Sequence, residues 1–311
     1  MRKSGMKISE NKAPLAALWG IGFAMGVLVF ILITRYNDNL EPMRDTYLQV
    51  INKTELLSQM RVNLHKSVEM EKNAVMALTD EESQEYANQT LIALASVKQD
   101  LKKLQLLIAT TRLQDEEKLI DEFNTCWVKF HNLDQIILGL AVQNTNLKAA
   151  ALSEEKGSEA IQRFDQSLQN VMRMNLRTSQ EDRVAGSAWQ AIAASLQIFN
   201  LHHSHIVEID DEKMNQIETQ IKAEEKKVLN SLDQLGGIVD KESQNPLLQA
   251  KTAFSEFMEV TAKVLKLSRI NSNIKSLELS MGKKRIISAQ CEEILASLQN
   301  AVQGRPFKAT K

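Results

Sequence analysis

The sequence predicts an all-α protein: an N-terminal transmembrane helix followed by two tandem antiparallel four-helix bundles with long helices. Three observations carry that expectation. An uncharged apolar run from Ala13 to Thr34 has the ~20 residues that a membrane helix needs. Between Met43 and Leu235 stand three glycines and no proline, amid abundant Leu, Ala, Gln, Glu and Lys, so little interrupts a helix. Apolar residues there step by three and four, the seam of near-parallel packed helices, and no segment sustains the period of two that a strand requires.

Taken in order, residues 1–12 form a basic tail, Arg2, Lys3, Lys7 and Lys12 against Glu10. Past the apolar run, Arg35 and Arg44 face Asp38, Glu41 and Asp45. Positive charge stays in the cytoplasm. The expectation is a cytoplasmic tail, an uncleaved signal anchor over 13–34, and everything from Arg35 onward outside, as in a single-pass protein of a bacterial inner membrane. A cleaved signal peptide is the competing reading. It would have an apolar core of about 7–15 residues and a small-x-small cleavage site, whereas this run is longer and leaves through Ile31-Leu32-Ile33-Thr34-Arg35. Gly22 and Gly26 form a GxxxG, with Ala16 and Gly20 at the same spacing. Such spacing permits close helix approach and hence a homodimer, although glycine is common in membrane helices generally.

The external part begins with a helix from about Glu41 to the Thr79-Asp80-Glu81-Glu82 capping box; its roughly 40 residues reach ~60 Å. The stripe Leu94, Val97, Leu101, Leu104 and Ile108 marks a second helix. A third starts within Thr110–Asp115 and carries Ile120, Phe123, Trp127, Phe130, Leu133, Ile137 and Leu140. Gly157 is read as the break before the fourth, and Thr178–Gly186 as a kink or junction. In the second half, Asp210-Asp211, Gly236-Gly237 and Gly282 punctuate further stripes, Met214-Ile217-Ile221-Val228 and Ile287-Cys291-Ile294-Leu298-Ala301. Pro246 falls near a helix start, where its missing N–H costs little.

The halves repeat. At an offset of 127, Trp127 matches Phe254, Phe130 matches Phe257, Asn144 matches Asn271, Asn146 matches Asn273 and Leu152 matches Leu279. Leu64-His65-x-Ser67 also matches Leu201-His202-x-Ser204, and Ser167-Leu168-Gln169-Asn170 matches Ser297-Leu298-Gln299-Asn300. The expected division is a bundle over 35–180, a second over 181–304, and a flexible tail over 305–311.

Charge and motif content exclude several functions. The chain holds 38 Lys+Arg against 39 Asp+Glu; setting aside the tail's four cations and single acid leaves a balance of −4. With aromatics at only 5%, it lacks the basic clusters and stacking rings that bind nucleic acid. No CxxCH, P-loop, GxGxxG, GxSxG, HExxH or paired ExxH occurs in the external chain, so neither a cofactor nor an enzyme is expected. Cys126 and Cys291 each sit within an apolar stripe and are expected as buried free thiols; a disulfide is chemically possible outside the membrane, but the spacing gives no argument for one. His202 and His205, at i and i+3, with Glu208 three further, offer two imidazoles and a carboxylate on one helical face, a metal-ligand pattern; the alternative is simply the polar end of a helix.

The first repeat resembles the four-helix-bundle sensor domain of bacterial methyl-accepting chemotaxis receptors and related membrane sensor kinases. The resemblance lies in the order of parts: basic tail and anchor, a long helix containing MRVNLHKSVEMEKNAVMAL (Met60–Leu78), the acidic TDEESQEY turn (Thr79–Tyr86), an amphipathic second helix, and DEEKLIDEFNTCWVKFHN (Asp115–Asn132) opening the third. It covers residues 1–180, and the second repeat is a weaker copy. It implies a periplasmic module that senses small molecules or partner proteins at a dimer interface. First-helix arginines clamp ligand carboxylates in that family, which implies a ligand site at Arg61, beside His65; a guanidinium provides a planar donor fork. The sequence shows no second span, methylated coiled coil or kinase, so output is expected from a separate receptor or sensor kinase. The alternative is a structural or adaptor protein docking a partner at the membrane through its bundles.

Overall fold

The computed structural model describes the backbone of residues 13–304, and the side chains of 28–30 and of 44–304. The tails 1–12 and 305–311, the Gly22–Gly26 pair and most side chains of the expected span 13–34 lie outside the described residues. Among the described residues no helix is long and apolar enough to cross a membrane.

All regular structure among the described residues is helical. Helix α1 runs Ala13–Met76, α2 Asp80–Thr111, α3 Gln114–Ala141 and α4 Thr145–Leu152. A π-helical turn, Ser153–Gly157, joins α4 without a break to α5, Ser158–Met174. Then follow α6 Glu181–Val207, α7 Asp211–Ile238, α8 Gln244–Ile270 and α9 Ser272–Leu279, and a second π turn, Ser280–Lys284, leads into α10, Arg285–Gln303.

The turns are built as their chemistry requires. Thr79 caps α2, its hydroxyl accepting the N–H of Glu82 at 3.1 Å, and Asp210 caps α7 by accepting from Glu212 and Lys213. Arg112, Asn144, Arg177 and Asn271 reverse the chain in the left-handed region; asparagine tolerates that region better than most residues. Gly157 and Gly282 do not break helices as expected. Both lie inside the continuous π turns, and a Cβ at Gly157 would only touch the Phe199 ring at an ordinary packing distance of 3.5 Å. The breaks fall instead at Asn144 and Asn271.

The helices do not divide sequentially into 35–180 and 181–304. One core joins Leu57, Met60 and Leu64 of α1 with Leu94–Ile108 of α2, Ile120–Phe130 of α3, and Cys291, Leu295, Leu298 and Val302 of α10. The other joins α5, α6, α7 and α8, around Phe164, Ile198, Leu232, Phe254 and Phe257. Each repeat therefore hands its fourth helix to the other repeat's bundle. Burial of such a side chain is worth roughly 1.5–3 kcal/mol, so an exchange that fills both seams completely costs no core. Because α10 returns to the first bundle, Cys126 and Cys291 meet with Cα atoms 5.6 Å apart and form a disulfide, contrary to the expectation of free thiols. The reason is topological: Cys291 packs on α3 only because α10 crosses over.

Candidate functional site

The two crossing points are symmetric. Thr145 and Ser272, the first residues of α4 and α9, each accept the other's backbone N–H on a hydroxyl at 3.1 Å. Asn146 and Asn273 do the same with their side-chain oxygens, at 3.1 and 3.2 Å. Asn144 reaches the α1–α2 turn at Asp80, and Asn271 the α6–α7 turn at the Glu208 carbonyl. The 127-residue offset read from sequence is thus a pseudo-twofold axis, and it carries on into the π turns, Ser153–Gly157 and Ser280–Lys284.

Above and below this axis, each π turn faces a buried polar cluster. In the distal bundle, formed by α5–α8, His202 of α6 is fully buried, bonded through Nδ1 to Ser153 Oγ at 2.8 Å and through Nε2 to Thr261 Oγ1 at 3.0 Å. Its ring stacks on Phe257. Burial pushes its pKa down to about 4, so it stands neutral, with both ring nitrogens satisfied.

In the proximal bundle, formed by α1–α3 and α10, the 127-offset equivalents of Ser153, Gly157, Phe257 and Thr261 are Ser280, Lys284, Phe130 and Asp134. Opposite them α1 places Glu71, the counterpart of His202 when the helices are aligned on their following caps, Thr79 and Asp210. Lys284 Nζ pairs with Asp134 at 2.5 Å and sits 3.1 Å from the centroid of the Phe130 ring, a cation–π contact. Glu71, Asp134 and Lys284 are all buried. Neither oxygen of Glu71 has a hydrogen-bond partner, nor does the Ser280 hydroxyl. Burial raises Glu71 to about 7; the nearby Ser280 and Lys284 pull it back only in part, and Asp134 opposes them. Burial likewise raises Asp134 to about 6 against the pull of Lys284.

Of the residues singled out from sequence, Arg61 and His65 converge on one internal partner. Arg61 Nε donates to Glu292 Oε1 at 2.6 Å and Nη1 to Gln299 at 2.9 Å, and His65 Nε2 lies 3.5 Å from Glu292. The guanidinium fork holds the chain's own α10. The metal pattern is not assembled. His205 is buried and engaged by Ser268 at 2.8 Å and Glu218 at 3.2 Å, and His202 is engaged as above. Glu208, past the end of α6 with extended backbone, turns its carboxylate onto the N–H groups of Ile209 and Asp210. Among the described residues no three His, Cys, Asp or Glu side chains are grouped to hold a metal ion.

Sequence reading passed over Glu71, Asp134 and Lys284, although a signal was present. Each occupies a seam position in an apolar stripe: Leu57-Met60-Leu64-Ser67-Glu71-Ala74, Phe123-Trp127-Phe130-Asp134-Ile137, and Lys284-Ile287-Cys291. A charge in a seam is rarely left there by accident. The match of His65 to His202 was out of register, since His65 is exposed and Glu71 holds the equivalent place.

Comparison with known proteins bears on this arrangement. The family model described as a four helix bundle sensory module for signal transduction matches residues 16–188. No curated protein matches the chain. Among solved structures, the TorS sensor domain, crystallised in complex with TorT in the presence of TMAO, is similar with a TM-score of 0.51 and 12% identity, over 82% of this chain and 99% of that one. At that identity the likeness speaks for the fold alone.

Proposed function

This chain belongs to the family of four-helix-bundle sensory modules for signal transduction, and from that premise we propose a membrane-anchored, extracytoplasmic input module that works through a separate receptor or sensor kinase. Residues 13–34 anchor it in the bacterial inner membrane with the N-terminus in the cytoplasm, and Gly22 and Gly26 bring two copies together. The observation that carries the reading is the return of α10 to α1. The helix that leaves the anchor and the helix that ends the described chain lie side by side in the proximal bundle, tied by Arg61 to Glu292 and Gln299. A disturbance at the distal bundle travels down α9–α10 and reaches α1 through this tie. The disulfide suits an oxidising compartment outside the cytoplasm.

The alternative, an adaptor docking a partner protein at the membrane, is favoured by Trp189 of α6, which is 57% exposed, with Leu196 on the same face. In-cell crosslinking of the full chain followed by solubilisation and capture tests the choice. Recovery of a receptor or sensor kinase is expected. Recovery of an envelope assembly without any signalling protein would replace the sensory reading with the adaptor.

A further inference from the structure

The proximal cluster differs from its distal counterpart in one decisive way. In the distal bundle a neutral imidazole satisfies two hydroxyls, and every polar atom of the trio is paired. At the equivalent place in the proximal bundle two carboxylates share one ammonium. Asp134 has claimed it at 2.5 Å, and the Phe130 ring and the Phe130 carbonyl occupy the rest of its reach. Glu71 is left fully buried with neither oxygen hydrogen-bonded. An ionised carboxylate in that condition is costly, and the group takes up a proton instead.

We propose that Glu71 is a proton-binding residue whose protonation fastens α1 to the Ser280–Lys284 π turn, so that the contact between α1 and α9–α10 responds to external pH. The groups facing Glu71 are few. Asp134 comes from α3, Lys284 and Ser280 from the π turn, and Lys72 from α1 itself; α2 brings no charge to bear on it. His131 of α3, one turn before Asp134, is held below its ordinary value, chiefly by burial and then by Lys98 and Lys284. With the carboxyl protonated, Asp134 and Lys284 form a pair of no net charge and the seam holds no unpaired ion. Loss of the proton puts a second anion beside a cation already paired, and the π turn, the one place where α9–α10 departs from regular helix, lies directly against it. Proton uptake requires no co-reactant; the carboxyl O–H bond forms and breaks with solvent. What the proton is for rests on the sensory reading; that Glu71 binds it does not.

The test uses the full chain in lipid nanodiscs. A glutamate carboxyl titrating near neutrality, seen by carbon-13 NMR and missing in Glu71→Gln, is expected; absence of any glutamate titrating above about pH 5.5 overturns the proposal while leaving the sensory reading intact. Hydrogen exchange in segments 68–76 and 278–286, corrected for intrinsic rates, should rise about tenfold between pH 6 and pH 8 through Glu71. That rise should vanish in Glu71→Gln. An equal rise in wild type and variant also overturns the proposal. If Glu71→Gln does not fold, Asp134→Asn serves: it frees Lys284 to pair with Glu71, and the carboxyl midpoint should fall by at least about one pH unit, a tenfold higher proton concentration at half-titration. An unmoved midpoint counts against the assignment.

Discussion

Thr145 and Ser272, 127 positions apart, cap each other's helices: each backbone N–H donates to the other's hydroxyl at 3.1 Å, and the hydroxyls themselves lie 3.2 Å apart. Neither α4 nor α9 has a cap of its own. The start of each crossing helix therefore depends on the other, which couples the two bundles at their meeting point.

Loss of one hydroxyl removes a cap from the partner helix and a bond from its own. Thr145→Ala and Ser272→Ala should each cost about 1–2 kcal/mol in urea unfolding. Because both act on one pair, the double variant should cost less than the sum, with a coupling of about 0.5–1.5 kcal/mol. Thr145→Ser keeps the oxygen and should behave as wild type. Strict additivity of the two alanine variants would show that the caps act independently.

This junction marks how far the sequence could be read. The offset of 127, the Thr79 and Asp210 caps and the left-handed asparagines all leave local signatures, so the repeat and most helix ends are legible. The crossing of α4–α5 and α9–α10 is not, because Asn144 and Asn271 fix where the chain turns but not which bundle receives the next helix. That choice depends on packing across 127 residues. The Cys126–Cys291 bond follows from the crossing and was hidden with it. Gly157 and Gly282 misled for a different reason. Glycine signals a break when read locally, but here both glycines lie within π turns through which the helix continues. Arg61 was expected to clamp a ligand carboxylate; its partner in the fold, Glu292, is 231 positions away and no pattern in sequence connects them.

The disulfide closes a loop of 165 residues and ties α3 to α10. Reduction should lower stability by about 2–5 kcal/mol, the range for long loops. The effect should be seen as a fall in urea midpoint on adding reductant, and should be absent from the Cys126→Ala/Cys291→Ala double variant. An oxidised wild-type protein whose midpoint ignores reductant would mean the bond holds nothing that packing does not.

Arg61 is 37% exposed on its side chain and Glu292 22%, so the pair is screened by solvent and its removal should cost under about 1 kcal/mol. Its effect should be mechanical. Spin labels on the exposed faces of α1 and α10 should show a broader distance distribution in Arg61→Ala than in wild type. Arg61→Lys should not restore it, because a single ammonium cannot span Glu292 and Gln299 as the planar fork does. Identical distributions in all three proteins would remove the tie from the signalling path.

The two polar clusters should give the bundles opposite responses to acid. Glu71 is raised from 4.5 to about 7 in the folded protein, so the stability linked to it is fully present below pH 4.5 and is lost as pH rises through about 7. His202 is lowered from 6.5 to about 4. A base held neutral by burial is protonated first in the unfolded chain, so its contribution is present above pH 6.5 and is lost as pH falls through about 4. At about 1.4 kcal/mol per pH unit, each gap corresponds to about 3 kcal/mol. Hydrogen exchange resolved by segment should therefore show α1 amides loosening toward pH 8 and α6 amides around His202 loosening toward pH 5. His202→Gln, which retains a donor and an acceptor for Ser153 and Thr261 but does not titrate, should abolish the acid response of the distal bundle and leave the proximal one unchanged. Acid lability of α6 that survives this substitution would have to come from His205, the other buried imidazole, whose ring Glu218 and Ser268 hold from both sides. In that case the distal response should instead disappear in His205→Gln.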